Sequence, residues 1–414
     1  MTVTTILAQA AGGFDVEAAT RAYLALLQGP ARAKSDAYFE GGYWLIGWDV
    51  LAALTVAAIV LFTGWSARWR DWAERRTRRR WLQPALYALP YTLVTTLLAL
   101  PWALYEGYAR ERQYGLMNQT LGAWLGDQGK ALAVGLVMSA LLFIAVFAVI
   151  RRFPRGWWVF ATGVFVAFVA FGALIAPVFV APLFNKYTEM PAGPLRTRIE
   201  ALAAASHIPA QHIYVSDASR QTKRISANVS GIGPTVRITL NDNLLNRTGP
   251  DEVAAVMGHE MGHYVLGHVW RLIGLFSLFI LLNFLFVSRA APALIARFPR
   301  WGVRSVADPA AAPLLLALGS LGMAVLTPAN NTVIRTGEAQ ADSYGLDHAR
   351  EPDGFAKVAM RLSEYRKIEP GPIEEALFFD HPSGATRVRH SMQWKKDHVP
   401  GATIVVPDPH LLER

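Results

Sequence analysis

The chain has 414 residues, 53% of them hydrophobic and only 17% charged, with a formal net charge of +9 and no cysteine. So apolar a balance excludes an ordinary soluble enzyme and points to a bilayer. The missing thiols exclude disulfides, thiolate metal ligands and a cysteine nucleophile, so any bound metal must use His, Asp or Glu. The positive charge lies on arginines beside apolar runs and not on a nucleic-acid-binding motif, so no nucleic-acid partner is expected.

Residues 1–42 lack the basic start and full apolar core of a cleaved signal peptide and read as a short polar tail. Six apolar stretches follow, near 43–65, 84–105, 131–150, 157–180, 269–287 and 312–329, each at or close to the roughly 20 residues that cross a bilayer. Tyr43, Trp44, Trp65, Trp102, Tyr105, Trp157, Trp158 and Trp270 edge them, where amphipathic rings favour the headgroup level. The first four stretches make a transmembrane region over 43–182. Buried core helices are the alternative, but helices of a soluble core rarely stay apolar for so long.

From 183 to 414 the composition is that of a soluble α+β segment, interrupted by the last two apolar stretches. A helix is expected near 193–205 and a strand at "HIYVSD". Around Gly231, Gly233 and Pro234, "SANVSGIGPTVRITL" suits a hairpin whose second strand is "VRITL". The next helix starts at "TGPDEV", where Thr248 suits the cap, Pro250 the first turn, and Asp251 and Glu252 the positive end of the dipole.

That helix carries "MGHEMGHYVLGH". His259 and His263 are four apart, so both imidazoles leave one face toward a common point, with Glu260 beside the first. This is the H-E-x-x-H arrangement, in which two neutral imidazoles bind zinc and the Glu receives a proton from the attacking water. A pair of satisfied helix histidines is the alternative. On a continuous helix His268 falls roughly 140° from His263 and 180° from His259, so it reads as a supporting residue and not as a ligand.

A catalytic ion needs a third protein ligand and an open position. After the last apolar stretch, "PANNTVIRTGEAQADSYG" reads as a polar helix with Glu338 and, four residues on, Asp342. Glu338 completes a His-His-Glu set, and Asp342 is placed to accept the second N–H of a ligand histidine and fix its tautomer. A solvated acidic helix face is the bland reading of the same residues.

Four stretches in order, "LPWALYEGYARERQYGLMNQTLG", "HEMGHYVLGH", "RTGEAQAD" and "HPSGATR", resemble the integral-membrane zinc metalloproteases of the CaaX prenyl protease type and, distantly, the HtpX membrane quality-control proteases. The likeness runs from about residue 81 to residue 395. It implies a predominantly α-helical multi-span membrane protein with a zincin-like α+β catalytic domain carrying a small sheet and the H-E-x-x-H helix. One zinc per chain is then held by His259, His263 and Glu338, with Glu260 as general base and Asp342 behind the ligands. Arg335 is expected to orient Glu338, while His381 and Arg387 face the substrate backbone or the developing oxyanion. A strand around 226–231 is expected to hold an extended substrate by edge pairing. Ser226 stands there where the family usually has Asn, with Asn228 two positions on, and Ile334 stands where the family commonly has Ser.

The implied activity is hydrolysis of peptide bonds in membrane-associated or lipid-modified proteins or peptides, with the bilayer as the other partner. A zinc-binding sensor that does not turn over is a rival, against which the intact Glu260 weighs. A multi-span metal transporter is another, but it would place ionised residues inside the spans, where only Asp49 lies well within an apolar run. Arginines crowd the loops at 66–82, 151–156 and 288–308, which share one face if six spans are present. The positive-inside rule makes that face cytoplasmic and turns the catalytic segments outward, in a bacterial inner membrane. The eukaryotic relatives imply the opposite face, but the charge bias is a physical tendency of this chain itself and favours the outward one.

Overall fold

The computed structural model describes residues 13–209, 212–231 and 236–413, so Gly233 and Pro234 of the expected hairpin turn and the first twelve residues of the expected tail lie outside the described residues. In chain order the helices are α1 (Val16–Leu24), α2 (Gly29–Phe62), α3 (Trp65–Arg76), α4 (Gln83–Leu104), α5 (Leu121–Arg152) and α6 (Trp157–Ile175). After β1 (Tyr187–Glu189) come α7 (Pro194–Ala205), β2 (His212–Ser216), β3 (Ala227–Ser230), β4 (Arg237–Asn241), α8 (Asp242–Arg247) and α9 (Pro250–Val265). The chain closes with α10 (His268–Arg297), α11 (Ala312–Ala349), α12 (Pro352–Leu362), α13 (Pro372–Phe378) and α14 (Gly384–His398). These elements form two compact units.

One unit comprises Trp44–Phe184 and Arg271–Thr327. Among the described residues of the whole chain, five helices are long and apolar enough to cross a membrane, and a sixth span results if the pair Trp157–Ala173 and Ala176–Leu183, bent by 47°, counts as one. Pro177 sits at that bend, where its ring clashes with the carbonyl four residues earlier. No more than 39% of the most apolar window of any of the five is buried, so these helices are not a soluble core turned inside. Leu97, Val137, Leu141 and Val325 point outward, as a hydrocarbon solvent allows. The protein is thus an integral multi-pass membrane protein. The three arginine-bearing loops gather in this unit: Arg70 pairs with Asp308 at 2.6 Å, Arg304 with Glu74 at 2.7 Å, and Arg151 donates to the Arg80 carbonyl at 2.6 Å. Asp49 accepts from the Trp102 indole at 2.7 Å.

The other unit contains the described residues of Met1–Tyr43, Asn185–Trp270 and Pro328–Arg414. Its sheet has the order β1-β2-β4-β3, antiparallel at both outer pairs and parallel between β2 and β4. The expected hairpin is β3 with β4, in register Ala227↔Leu240 to Ser230↔Arg237. Ile213, Ile238 and Leu240 on one face meet Ile199 of α7 and Val253, Met257 and Met261 of α9. Part of the sequence that reads as a tail is packed: Ala19 and Tyr23 of α1 share a core with Met360 of α12 and Val388 and Met392 of α14.

The start of α9 differs from expectation. Thr248 turns its hydroxyl back to the Leu244 carbonyl, and Gly249 takes the cap position, its N–H donated to the Glu252 carboxylate at 2.8 Å. Glu252 in turn is buried against Arg361 of α12, so the end of α9 is fixed by a charge pair and not by a hydroxyl.

What sets the site is the crossing of α9 with the polar half of α11. A Cβ built on Gly345 would lie 2.8 Å from the His259 backbone nitrogen, and one on Gly258 would lie 3.0 Å from the Gly345 carbonyl oxygen. Gly262 is equally tight, with Tyr344 Cβ at 3.0 Å. The two backbones touch because these positions carry no side chain. We predict that Gly345→Ala costs about 1–3 kcal/mol, the usual range for overpacking, and lowers metal content, read by thermal unfolding and elemental analysis. An unchanged melting temperature with full metal content would show that the crossing tolerates the extra carbon.

Candidate metal centre

Two turns of α9 present His259 and His263 to the face of α11 that carries Glu338. His259 Nε2 lies 3.1 Å from His263 Nε2 and 3.2 Å from Glu338 Oε2, and His263 Nε2 lies 3.4 Å from Glu338 Oε1. Ligand atoms about 2.0–2.1 Å from a common ion sit about 3.3–3.4 Å apart in a tetrahedron, so this triangle fits a small divalent cation. Glu338 Oε2 is buried without a hydrogen bond of its own, which a cation would satisfy. His259, His263 and Glu338 form the metal-binding group.

The supporting charges are buried behind it. Asp342, one turn after Glu338, faces His259 Nδ1 at 2.8 Å, and Arg387 of α14 grips the same carboxylate with Nε at 2.9 Å and a terminal nitrogen at 2.6 Å. With Nδ1–H donated to Asp342, the lone pair of His259 is on Nε2, toward the other ligands. Burial alone would lower the pKa of this ring, but the adjacent carboxylates of Asp342 and Glu338 outweigh it and push it up to about 10. Burial likewise opposes the charge of Arg387, and Asp342 restores it, holding the guanidinium above its ordinary value.

A cavity of about 210 Å³ opens beside the ligands, lined by Ser226, Ala227, His259, Glu260, His381 and Arg387 among others. Burial lifts the Glu260 carboxyl above the usual carboxylate range, with His259 and His263 pulling the other way. His381 presents Nε2 to Glu338 Oε2 at 3.2 Å while its Nδ1 lies 2.8 Å from the adjacent Asp380. Burial draws the His381 ring below the ordinary imidazole value despite Asp380. Ser226 closes the β3 end of the cavity, its N–H held by the Asn241 side chain at 3.1 Å. Asn228 lies two residues on, so it shares the exposed face of the strand with Ser226.

Arg335 is placed differently from expectation. Its guanidinium donates to the Glu375 carbonyl at 2.8 Å and to the Phe379 carbonyl, so it ties down the segment leading to His381 and does not orient Glu338. The spacing of three residues would allow a contact with Glu338, but the two carbonyls take up the guanidinium while Glu338 faces His259, His263 and His381. His268 also departs from the continuous-helix geometry. Gly267, in the left-handed region at φ 63°, separates α9 from α10, and His268 folds back so that its Nδ1 lies 2.9 Å from His263 Nδ1. Sequence reading missed Asp380, Gln340 and the glycine crossing. Gly258 and Gly262 flank the first part of the motif at a four-residue spacing, which is a legible signal for close helix approach.

Removing any one of His259, His263 or Glu338 by alanine substitution is expected to abolish metal retention, measured by elemental analysis after dialysis. Arg387→Ala should also weaken it, because Asp342 is left as a buried uncompensated charge, a change that costs about 3–5 kcal/mol. A variant lacking Arg387 that melts and binds metal as the parent does would contradict this ordering of charges.

Comparison with known proteins agrees with this geometry. The model of peptidase family M48 matches residues 189–395, and that of the CAAX prenyl protease N-terminal region, five membrane helices, matches residues 32–186. The uncharacterized metalloprotease YhfN of Bacillus subtilis is 32% identical over 346 residues, covering 80% of this chain and 79% of its own. CAAX prenyl protease 1 of Saccharomyces cerevisiae is 26% identical over 313 residues, 71% of this chain and 69% of its own. The crystal structure of Ste24p from S. mikatae superposes with a TM-score of 0.70 at 20% identity, over 91% of this chain and 95% of that one, which shows the shared fold.

Proposed function

The chain belongs to peptidase family M48, as a membrane metalloprotease of the CAAX prenyl protease type, and on that footing we propose that its centre holds one zinc ion and cleaves peptide bonds in membrane-associated or lipid-modified proteins. The observation that carries this is one cavity bordered by the metal-binding His259, the acid–base group Glu260 and the start of the edge strand β3, with His381 on its wall reaching Glu338 at 3.2 Å. Two imidazoles and a carboxylate suit zinc, and three ligands leave a position for substrate or water. When bound, the ion supplies Lewis acidity, which makes water a nucleophile at neutral pH and polarises a carbonyl.

The chain's own residues do the rest. Glu260 takes the proton of the attacking water and passes it to the leaving amine, a task that its raised pKa favours. The outer edge of β3 offers main-chain groups to an extended peptide, with Ser226 and Asn228 on the exposed face. Arg387 spends two of its five N–H groups on Asp342, and the remaining ones, with His381, serve the substrate oxygens. Membrane clients are favoured because Glu338 lies on the same helix as the last candidate span.

We also place the catalytic unit on the outer face of a bacterial inner membrane. The gathering of the arginine loops supports this, since loops that pack together share a side, and the positive-inside rule assigns that side to the cytoplasm. The chain has no cysteine, so an exposed Lys396→Cys reports its side directly with a membrane-impermeant maleimide. Labelling of intact cells fits an outward unit; labelling only after lysis overturns it.

For the chemistry, Glu260→Gln should keep its metal and lose at least about a hundredfold in peptide hydrolysis, because an amide cannot accept the proton. Near-parental turnover of the metal-loaded variant would remove Glu260 from the mechanism.

A further inference from the structure

We propose that His268 and Gln340 form a relay that fixes His263 in the tautomer whose Nε2 carries the lone pair for the metal. The inference rests on the metal-binding reading of the centre. His259 has an obvious partner in Asp342, but among the described residues no carboxylate is hydrogen-bonded to His263 Nδ1; its neighbour there is the ring of His268, at 2.9 Å. Two imidazole nitrogens at that distance share one proton, so one donates and the other accepts. His268 Nε2 lies 3.2 Å from Gln340 Oε1 on α11. An amide oxygen only accepts, so His268 carries its proton on Nε2, and its Nδ1 is the acceptor. His263 therefore donates from Nδ1 and leaves Nε2 bare, facing His259 Nε2 and Glu338 Oε1.

Read from the metal end, the chain of protons is the same. A ligand Nε2 has no proton, so Nδ1 must be the donor; His268 must then accept, and its other nitrogen must donate. The backbone is shaped for it. Gly267 at φ 63° interrupts the helix one residue before His268, which is 2% exposed and sets its ring at 72° to that of His263 with 5.0 Å between centroids. A relay through a second imidazole keeps the ligand neutral where a carboxylate would add charge.

Gln340 is exposed, so it can be changed without repacking a core. The test measures metal affinity by chelator competition on the full-length protein, with zinc as the probe, and does not depend on turnover. Gln340→Leu, which removes the acceptor, should weaken affinity about tenfold, and His268→Ala about ten- to a hundredfold, the usual cost of losing such partners. Gln340→Glu keeps an acceptor and should retain parental affinity. The double variant should be no weaker than His268→Ala alone, because both act through one proton. Nitrogen-15 spectra of the zinc-loaded protein should show His263 protonated on Nδ1 in the parent and in Gln340→Glu. Parental affinity in Gln340→Leu, or equal losses in Gln340→Leu and Gln340→Glu, overturns the relay, and the Gln340 pair decides even if His268→Ala fails to fold. A parent that binds no zinc overturns the functional reading and the relay with it; a parent that binds while Gln340→Leu binds equally well overturns the relay alone.

Discussion

The metal centre depends on two helix backbones touching. His259 and His263 leave α9 and Glu338 leaves α11, and a carboxylate reaches the imidazoles only if the axes are close. Gly258, Gly262 and Gly345 allow that approach, since any Cβ there would meet backbone or a packed side chain within 3.0 Å. Small residues at a crossing give up side-chain burial for proximity. The apolar contacts of Met257 and Met261 with the sheet, on another side of α9, keep the helix from turning away.

Proximity alone would gather too much negative charge. Glu338 and Asp342 both lie against the buried ring of His259 and Glu260 is the next residue on α9, and unpaired buried carboxylates are costly. Arg387 offsets this with a two-pronged hold on Asp342, which passes the polarisation on to His259 through Nδ1. The cation and its ligands thus form one network from α14 through α11 to α9. A buried pair of this kind is weak as a stabiliser in itself. Its value lies in orientation, because the guanidinium fork accepts only one arrangement of the carboxylate.

Much of this was legible in the sequence because it depends on short-range periodicity. A four-residue spacing places His259 beside His263 and Glu338 beside Asp342 whatever the surroundings, and the apolar runs announce the spans by length alone. What escapes the sequence is any direction that depends on a break or on a distant partner. His268 is a supporting residue as its sequence position suggests, but Gly267 breaks the helix and brings it to His263, where a continuous wheel would not. Proximity in sequence pairs Arg335 with Glu338, whereas its side chain serves carbonyls of the Glu375–Phe379 segment. Thr248 is a good capping residue in isolation, but Glu252 is drawn to Arg361 and shifts the cap to Gly249. Local propensity yields wherever a buried charge has to be satisfied.

The order of ligands along the chain also constrains how the centre is made. His259 and His263 come from one short helix, and Glu338 arrives only after two long apolar helices, α10 and the first half of α11, have been synthesised. A two-histidine site binds divalent metal weakly, and affinity adequate to hold an ion comes with the third ligand and its supporting shell. Asp342 and Gln340 lie on the same late helix, and Arg387 later still. In a chain made from its N-terminus the two histidines alone would therefore be poor ligands until Glu338 and its supporting residues follow. A metal held by this late-completed set would add its binding free energy to the stability of the crossing at Gly258, Gly262 and Gly345, which is where the ligands meet.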